Sequence, residues 1–317
     1  MADSLRIATW HADLSRKGPG LLLRDLLRSE AELGAVADQI VQVGPDVLLL
    51  TDIDFDHGLV ALGALRDGLA SRGLAFDHMF SQRPNSGMPT GLDLDGDGLL
   101  GGPRDAQGYG WFSGQGGQAV LSRHPVTLRM DLSNMLWRDA PNSLMTAHDT
   151  GREIQRLSTS AHWALDIETP NGVLGVLTVA ATPPLFDGPA DRNGRRNRDE
   201  VLLWLHALDG RLPEYNPRGL FVLVGNMNLD PDKGDGLRRA VRQVLDHPAL
   251  QDPLPDQPTV EWSGPGTMRV SYVLPSADLA VRGAGVMPPV PGAGPHRLVW
   301  VDVVLPQAPD RLPAASP

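Results

Sequence analysis

The stretch that most limits how this chain can fold is 219–232, GLFVLVGNMNLDPD. It opens on an apolar run, 220–224, short and β-branched enough to be a strand buried inside a sheet. The run breaks at Gly225 into a polar turn, Asn226-Met227-Asn228, with Asp230-Pro231 behind it. Open α/β sheets carry their chemistry at the carboxyl ends of such strands. Asn226 and Asn228 therefore mark a candidate site.

The rest of the chain supplies partners for that strand. Residues 5–9 read as a first strand, which 10–20 leave as a loop. Residues 31–43 carry apolar side chains at helical spacing until Gly44-Pro45 stops them. Residues 46–50 form an apolar strand ending at Thr51-Asp52, 58–71 are again helix-like, and 75–80 predict a strand. The order β-α-β-α-β implies helices covering a sheet. From 81 to 117 periodicity vanishes into Gly, Pro and Asp, and a loop this long is functional or disordered. Residues 118–122 resume a strand, with 126–130 as its hairpin partner. The segments 156–167 and 173–180 alternate as antiparallel strands joined at the turn 169–172. Helices are expected at 195–208 and 236–245, and strands at 268–274 and 296–305. One domain over 4–305 is the expectation, with the Pro/Ala-rich residues 306–317 as a disordered tail.

Composition excludes several function classes. The chain has 317 residues and no cysteine, so it has no disulfide, thiolate ligand or thiol nucleophile. No apolar run approaches the roughly 20 residues that span a bilayer. The start, MADSLRIATW, lacks a charged leader with an apolar core, so a cytoplasmic location is expected. The formal net charge is −10. The densest basic cluster, 191–198, is short and flanked by Asp187, Asp199 and Glu200. It reads as a helix start whose arginines pair with carboxylates. Nucleic acid is an unexpected partner for such a surface.

Asp93, Asp95 and Asp97 alternate, with Gly96 and Gly98 between and after them, as in the first half of a calcium loop. At the twelfth position, where a bidentate Glu is expected, stands Arg104; Asp105 is next. The expectation is a structural Ca2+ held by Asp93, Asp95, Asp97 and Asp105, against the alternative of a solvated acidic turn.

Eight segments together carry a family likeness: IATWHADLSRKGPG from 7, DVLLLTDIDFD from 46, GLDLDGDGLLGGPRDAQGYG from 91, AVLSRHP from 119, TPPLFDGPADRNGRRNRDE from 182, GNMN from 225, YVLPS from 272 and HRLVWVD from 296. The chain resembles the endonuclease/exonuclease/phosphatase superfamily of metal-dependent phosphoesterases, in a bacterial branch described as phosphatases or nucleases of undefined substrate. The resemblance implies a four-layer α/β sandwich, two packed mixed β-sheets flanked by helices. It implies Mg2+ on hard oxygen ligands, a carboxylate that orients water, and a His that stabilises the phosphoryl charge.

Carried onto this sequence, the likeness finds most reactive groups replaced. His11 stands where the family has Asn, Asp52 where it has Glu, and Ala180 where it has His. Asn226 replaces the Asp of the GDxN segment, while Asn228 is kept. Ser271 and Pro295 replace two further Asp residues, and His296 survives. The implication is an inactive or impaired phosphoesterase that binds a small phosphorylated ligand or a protein. The alternative is an active divalent-metal enzyme rebuilt on His11, Asp52, Asn228 and His296. In one form of it, His11, Asp52 and His296 hold Zn2+ or another transition metal. His162, beside Trp163, reads as structural support.

Overall fold

The computed structural model describes residues 4–212 and 219–306. The expected tail, apart from Pro306, lies outside the described residues. Thirteen strands are described. They are β1 (Leu5–Leu14), β2 (Val47–Ile53), β3 (His78–Phe80), β4 (Gly117–Ser122), β5 (Val126–Asp131), β6 (Trp163–Thr169), β7 (Gly172–Ala180), β8 (Phe221–Asn226), β9 (Val260–Trp262), β10 (Gly266–Met268), β11 (Ser271–Pro275), β12 (Ala280–Val286) and β13 (Val299–Val304). The α-helices are α1 (Leu21–Leu27), α2 (Ala31–Val43), α3 (Val60–Ala70), α4 (Arg192–Leu208) and α5 (Arg239–Leu245).

The strands form a six-stranded sheet ordered β12-β13-β1-β2-β4-β3 and a five-stranded sheet ordered β11-β8-β7-β6-β5, with β9 and β10 as a separate ribbon. Both large sheets are mixed, because β1 and β2 run parallel, as do β7 and β8, among antiparallel neighbours. Period-two alternation sends each interior strand's side chains into two different cores. In β1 and β2, Ile7, Val47 and Leu49 meet Val176, Val222 and Val224 of the other sheet. Ala8, Trp10, Leu48 and Leu50 instead pack beneath α2 and α3, on Leu33, Val36, Ile40, Leu62 and Leu65. On the far side, Leu177, Val179 and Leu223 pack under Leu202, Trp204, Val241 and Val244 of α4 and α5. Fully burying each Leu or Val stabilises the fold by roughly 1.5–3 kcal/mol. The result is the expected four-layer sandwich of two mixed sheets flanked by helices.

Several expected elements differ. The strand at 126–130 is not the hairpin partner of 118–122, because β4 pairs with β2 and β3, whereas β5 pairs with β6 in the other sheet. The link Arg123-His124-Pro125 crosses between sheets, anchored by Arg123 N–H on Asp46 O (2.9 Å) and by Pro125 O accepting from Glu168 N–H (3.0 Å). The strand expected at 268–274 is two strands in different sheets, broken where Arg269 N–H donates to Asp230 Oδ2 (2.6 Å). β1 continues to Leu14, through residues read as loop. The strand expected from 156 begins only at Trp163. β12 carries Gly283 and Gly285 because the Trp300 ring lies across them; a Cβ on Gly285 would sit 2.9 Å from that ring.

The 81–117 stretch has its own order. Buried Asn85 donates through Nδ2 to Ser133 O (2.7 Å) and Ser158 O (2.8 Å), and isolated bridges join Ser86 to Gly108 and Pro89 to Ala106.

Candidate functional site

The two sheets deliver the site from opposite sides. In the five-stranded sheet, Ala180 pairs with Asn226 and Asn226 with Ser271, so the three stand in one row across β7, β8 and β11. Gly225 makes this row possible. Its φ is 140°, and a Cβ there would lie 1.9 Å from Val179 O. In the six-stranded sheet, His11 pairs with Thr51, next to Asp52. The register shifts just beyond, where Asp13 (φ 50°) and Asp52 (φ 58°) take left-handed backbone, as does Asn228 (φ 51°) in the opposite turn. Such conformations cost energy in non-glycine residues and persist only where the surroundings impose them. His296 precedes β13, bridges to Val260 and accepts Trp10 Nε1–H on its carbonyl (3.1 Å).

The floor is an amide–imidazole network. Asn226, 2% exposed, donates through Nδ2 to Asn228 Oδ1 (3.1 Å) and reaches His11 Nδ1 (3.3 Å) across the sheets. Asn228 N–H returns a bond to Asn226 Oδ1 (3.0 Å), and Asn228 Nδ2 donates to Ala181 O (2.7 Å). Thr51 Oγ1 also lies 3.2 Å from His11 Nδ1. The Asn226 amide N–H can only donate, so Nδ1 serves as its acceptor, while Nε2 faces Asp52 Oδ2 at 3.7 Å. The His296 ring lies 4.3 Å from the His11 ring and 5.6 Å from Trp262, edge to face. Burial, with His11 adding to it, pushes the His296 imidazole down to about 2. Its Nδ1 has no partner among the described residues, and Pro295 brings no side-chain acceptor to it. The buried Ser271 Oγ is likewise unpartnered. Burial raises the Asp52 carboxyl, opposed by His11. Asp54, which sequence reading passed over although it stands two residues beyond Asp52, is also raised by burial; it accepts Arg16 N–H (2.8 Å) and Gly116 N–H (3.1 Å).

Beside the floor run two adjoining hollows of about 670 and about 590 Å3 that share Asp13, Glu32 and Gly292; Pro295 lines the first and Asp52 the second. Asp13, Glu30, Glu32, Asp52 and Glu261 also face them, against Arg16 and Lys17. Arg16 is bound to Asp25 (2.9 Å), so the lining is predominantly negative.

The family model described as the endonuclease/exonuclease/phosphatase family matches residues 16–301. The chain belongs to the endonuclease/exonuclease/phosphatase family. No curated protein matches the sequence. Among solved structures, an endonuclease/exonuclease/phosphatase from Beutenbergia cavernae DSM 12333 is similar over 97% of this chain and 73% of its own, at TM-score 0.62 and 19% identity. The human Nocturnin catalytic domain with bound sulfate anion is similar over 96% and 94%, at 0.56 and 14%. Sphingomyelinase C from Streptomyces griseocarneus is similar over 95% and 99%, at 0.52 and 14%. At these identities the likeness establishes the fold.

The family's divalent metal can be tested against the residues in place. Mg2+ demands about six oxygens in octahedral array, with carboxylates among them. Here the Asn226 and Asn228 side-chain oxygens already accept bonds within the network, Ala180 and Pro295 bring no donor, and Asp52 is the single carboxylate of the family positions. This set does not fit Mg2+. Nor do His11, Asp52 and His296 close on one ion as expected for Zn2+. Among the described residues, the one set of three or more His or acidic donors within 4.8 Å of one another is Asp93, Asp95 and Asp97.

That acidic triad is as the sequence implies, but Asp105 stands apart from it. It is buried and spent inside the loop, accepting Leu94 N–H (2.8 Å) and Gly102 N–H (2.9 Å). Arg104 instead approaches Asp95 (3.9 Å). The basic cluster meets the expected carboxylates only in part: Arg195 pairs with Asp149 (2.8 Å) and Arg198 with Asp199 (2.6 Å), whereas Arg192 and Arg196 donate to carbonyl and amide oxygens. His162 is fully buried between Ser158 Oγ (2.7 Å) and Glu200 O (3.1 Å), and burial lowers it to about 4. It supports the fold beneath α4. No helix among the described residues is long and apolar enough to cross a membrane.

Proposed function

We propose that this protein keeps the phosphoesterase fold and its cleft but has lost phosphate-ester hydrolysis, and that it works as a binding module. One observation carries the reading. The atoms that face a metal in such a site are here satisfied by one another, as Asn226, Asn228 and His11 bond among themselves. An amide adds no charge to a cation and cannot act as a carboxylate base. Losing one catalytic group typically lowers a rate by about two to four orders of magnitude, and several are gone. Of the two expected partner classes, the acidic lining favours a protein over a small phosphorylated ligand, since its carboxylates repel phosphate. Nucleic acid is disfavoured on the same ground. The test assays a phosphodiester and a phosphomonoester with a panel of divalent ions, beside the variant Asn226→Asp, Ser271→Asp, Pro295→Asp. Turnover by the wild type that disappears in His296→Ala overturns the reading.

A second reading, an active metal-dependent phosphoesterase with a rebuilt His/Asp site, rests on the approach of His11 Nε2 to Asp52 (3.7 Å) and of the two imidazoles to each other. A flat assay with every metal removes it. For the acidic loop we propose a structural Ca2+ on Asp93, Asp95 and Asp97, a reading that rests on the clustering of the three carboxylates.

A further inference from the structure

Glu200 is wholly buried in the middle of α4 and takes no part in the site described above. Its two carboxylate oxygens are divided between two chain segments. One accepts Thr159 N–H (2.5 Å), ahead of β6, and the other accepts Thr182 N–H (2.7 Å), in the turn that follows β7. One turn earlier on the helix, Asn197 Nδ2 donates to Thr182 O (2.7 Å) and Met227 O (2.8 Å). Ala181 lies between these anchors and the site: its N–H donates to Asn226 O (2.9 Å), and its carbonyl holds the Asn228 side chain (2.7 Å). Glu200 is thus connected to the site floor by a hydrogen bond to Thr182, the peptide link from Thr182 to Ala181, and hydrogen bonds from Ala181 through Asn228 to Asn226 and His11.

We propose that Glu200 is a proton-operated latch on the site floor: ionised, it holds Thr159 and Thr182 together, and on taking up a proton it releases one of them and loosens the Asn228–Asn226–His11 network. A carboxylate offers two acceptors, whereas a carboxylic acid presents a hydroxyl, which faces an N–H as donor against donor. An amide left without its acceptor in the interior is costly, so the turn it belongs to moves.

The surroundings set where this happens. Burial dominates and raises the Glu200 carboxyl to about 7, against the Arg196 charge and the two amides, which favour ionisation. Arg196 forms no ion pair with it among the described residues, being committed to Leu157 O (2.8 Å), Gln107 O (2.6 Å) and Arg156 O (2.8 Å). Arg192 stands behind Arg196 on the same helix and acts on it by repulsion. From the β6 approach the titratable neighbour is His162, whose Nε2 meets the Glu200 backbone carbonyl. The segments 157–161 and 181–184 bring no titratable side chain.

The latch concerns the geometry of the proposed binding site and holds whether or not that site has a ligand. The test follows the full chain by NMR across neutral pH, reading the Glu200 carboxyl carbon, the Thr159 and Thr182 amides and the Asn228 side-chain amide. Expected is one shared midpoint at about pH 7, with the threonine amides moving upfield on acidification. In Glu200→Gln the shared transition is absent. In His11→Gln it persists at Thr159 and Thr182, which separates it from titration of His11. A Glu200 carbon that titrates while Asn228 stays still overturns the proposal. So does a transition that survives Glu200→Gln. If Glu200→Gln fails to fold, the wild-type midpoints and His11→Gln decide alone.

Discussion

Replacing Asn226 by Asp tests whether the site floor is held by amide donors. The change is nearly isosteric at a position 2% exposed, and it leaves the acceptor for Asn228 N–H in place. It removes the donor that serves Asn228 Oδ1 (3.1 Å) and His11 Nδ1 (3.3 Å), and sets a carboxylate oxygen against the Asn228 oxygen. Two hydrogen bonds at about 1 kcal/mol each, with the repulsion added, come to about 2–3 kcal/mol. For a domain of this size a change of that order lowers Tm by about 3–5 °C. The assay is a thermal melt at neutral pH with EDTA or with Mg2+, in a background carrying Asp93→Asn, Asp95→Asn and Asp97→Asn to silence the acidic loop. Asn226→Asp is expected to melt lower in EDTA and to recover in Mg2+, because a ligand at 100 times its Kd restores about 2.7 kcal/mol. The parent is expected to melt alike in both. A variant as stable as its parent in EDTA refutes the claim that the amide donors organise the floor. A parent stabilised by Mg2+ refutes the claim that the metal site is gone.

Acid should weaken the fold through His296. The native state protonates it at about 2 whereas the unfolded chain does so at its ordinary value of 6.5, so its stability contribution is complete above 6.5 and is lost as pH falls. At pH 5 the loss is about 2 kcal/mol, and His296→Gln should lose that much less between pH 7 and 5 in urea melts. Glu200 works in the opposite sense: its raised carboxyl makes the native state gain stability as pH falls from about 7 toward 4.5, so Glu200→Gln should steepen the acid loss. Ca2+ should slow protease cleavage within 91–105, and Asp93→Asn with Asp97→Asn should abolish the protection, as read by mass spectrometry of the fragments. Gly225→Ala should cost roughly 3 kcal/mol or more, since a Cβ there meets Val179 O at 1.9 Å, and soluble yield together with urea midpoint would register it.

Much of this was legible in the sequence because local rules govern it. α2 ends where Gly44 takes left-handed backbone (φ 61°), and β6 and β7 join at the expected turn. The row Ala180–Asn226–Ser271 was readable only through the family likeness, which supplied the positions that a register then aligned. What was missed is tertiary. A three-residue polar link looks the same whether it turns a hairpin or crosses between sheets, so the pairing of β4 with β5 was misread. β12 is Gly-rich on account of Trp300, a residue of the neighbouring strand. Asp13 and Asp54 gave no signal apart from lying near His11 and Asp52. The bond from Asn226 to His11 spans 215 positions and depends on how one sheet sits on the other, which no periodicity encodes.

His11 and Asp52 arrive on one sheet, and Ala180, Asn226 and Ser271 on the other. A molecule lodged among them would act as a rivet through two plates, resisting shear between them. Neither plate alone makes the hole, so occupancy would read out assembly of the whole sandwich. Amide exchange should then slow in both sheets at once, rather than only in the loops that touch the guest.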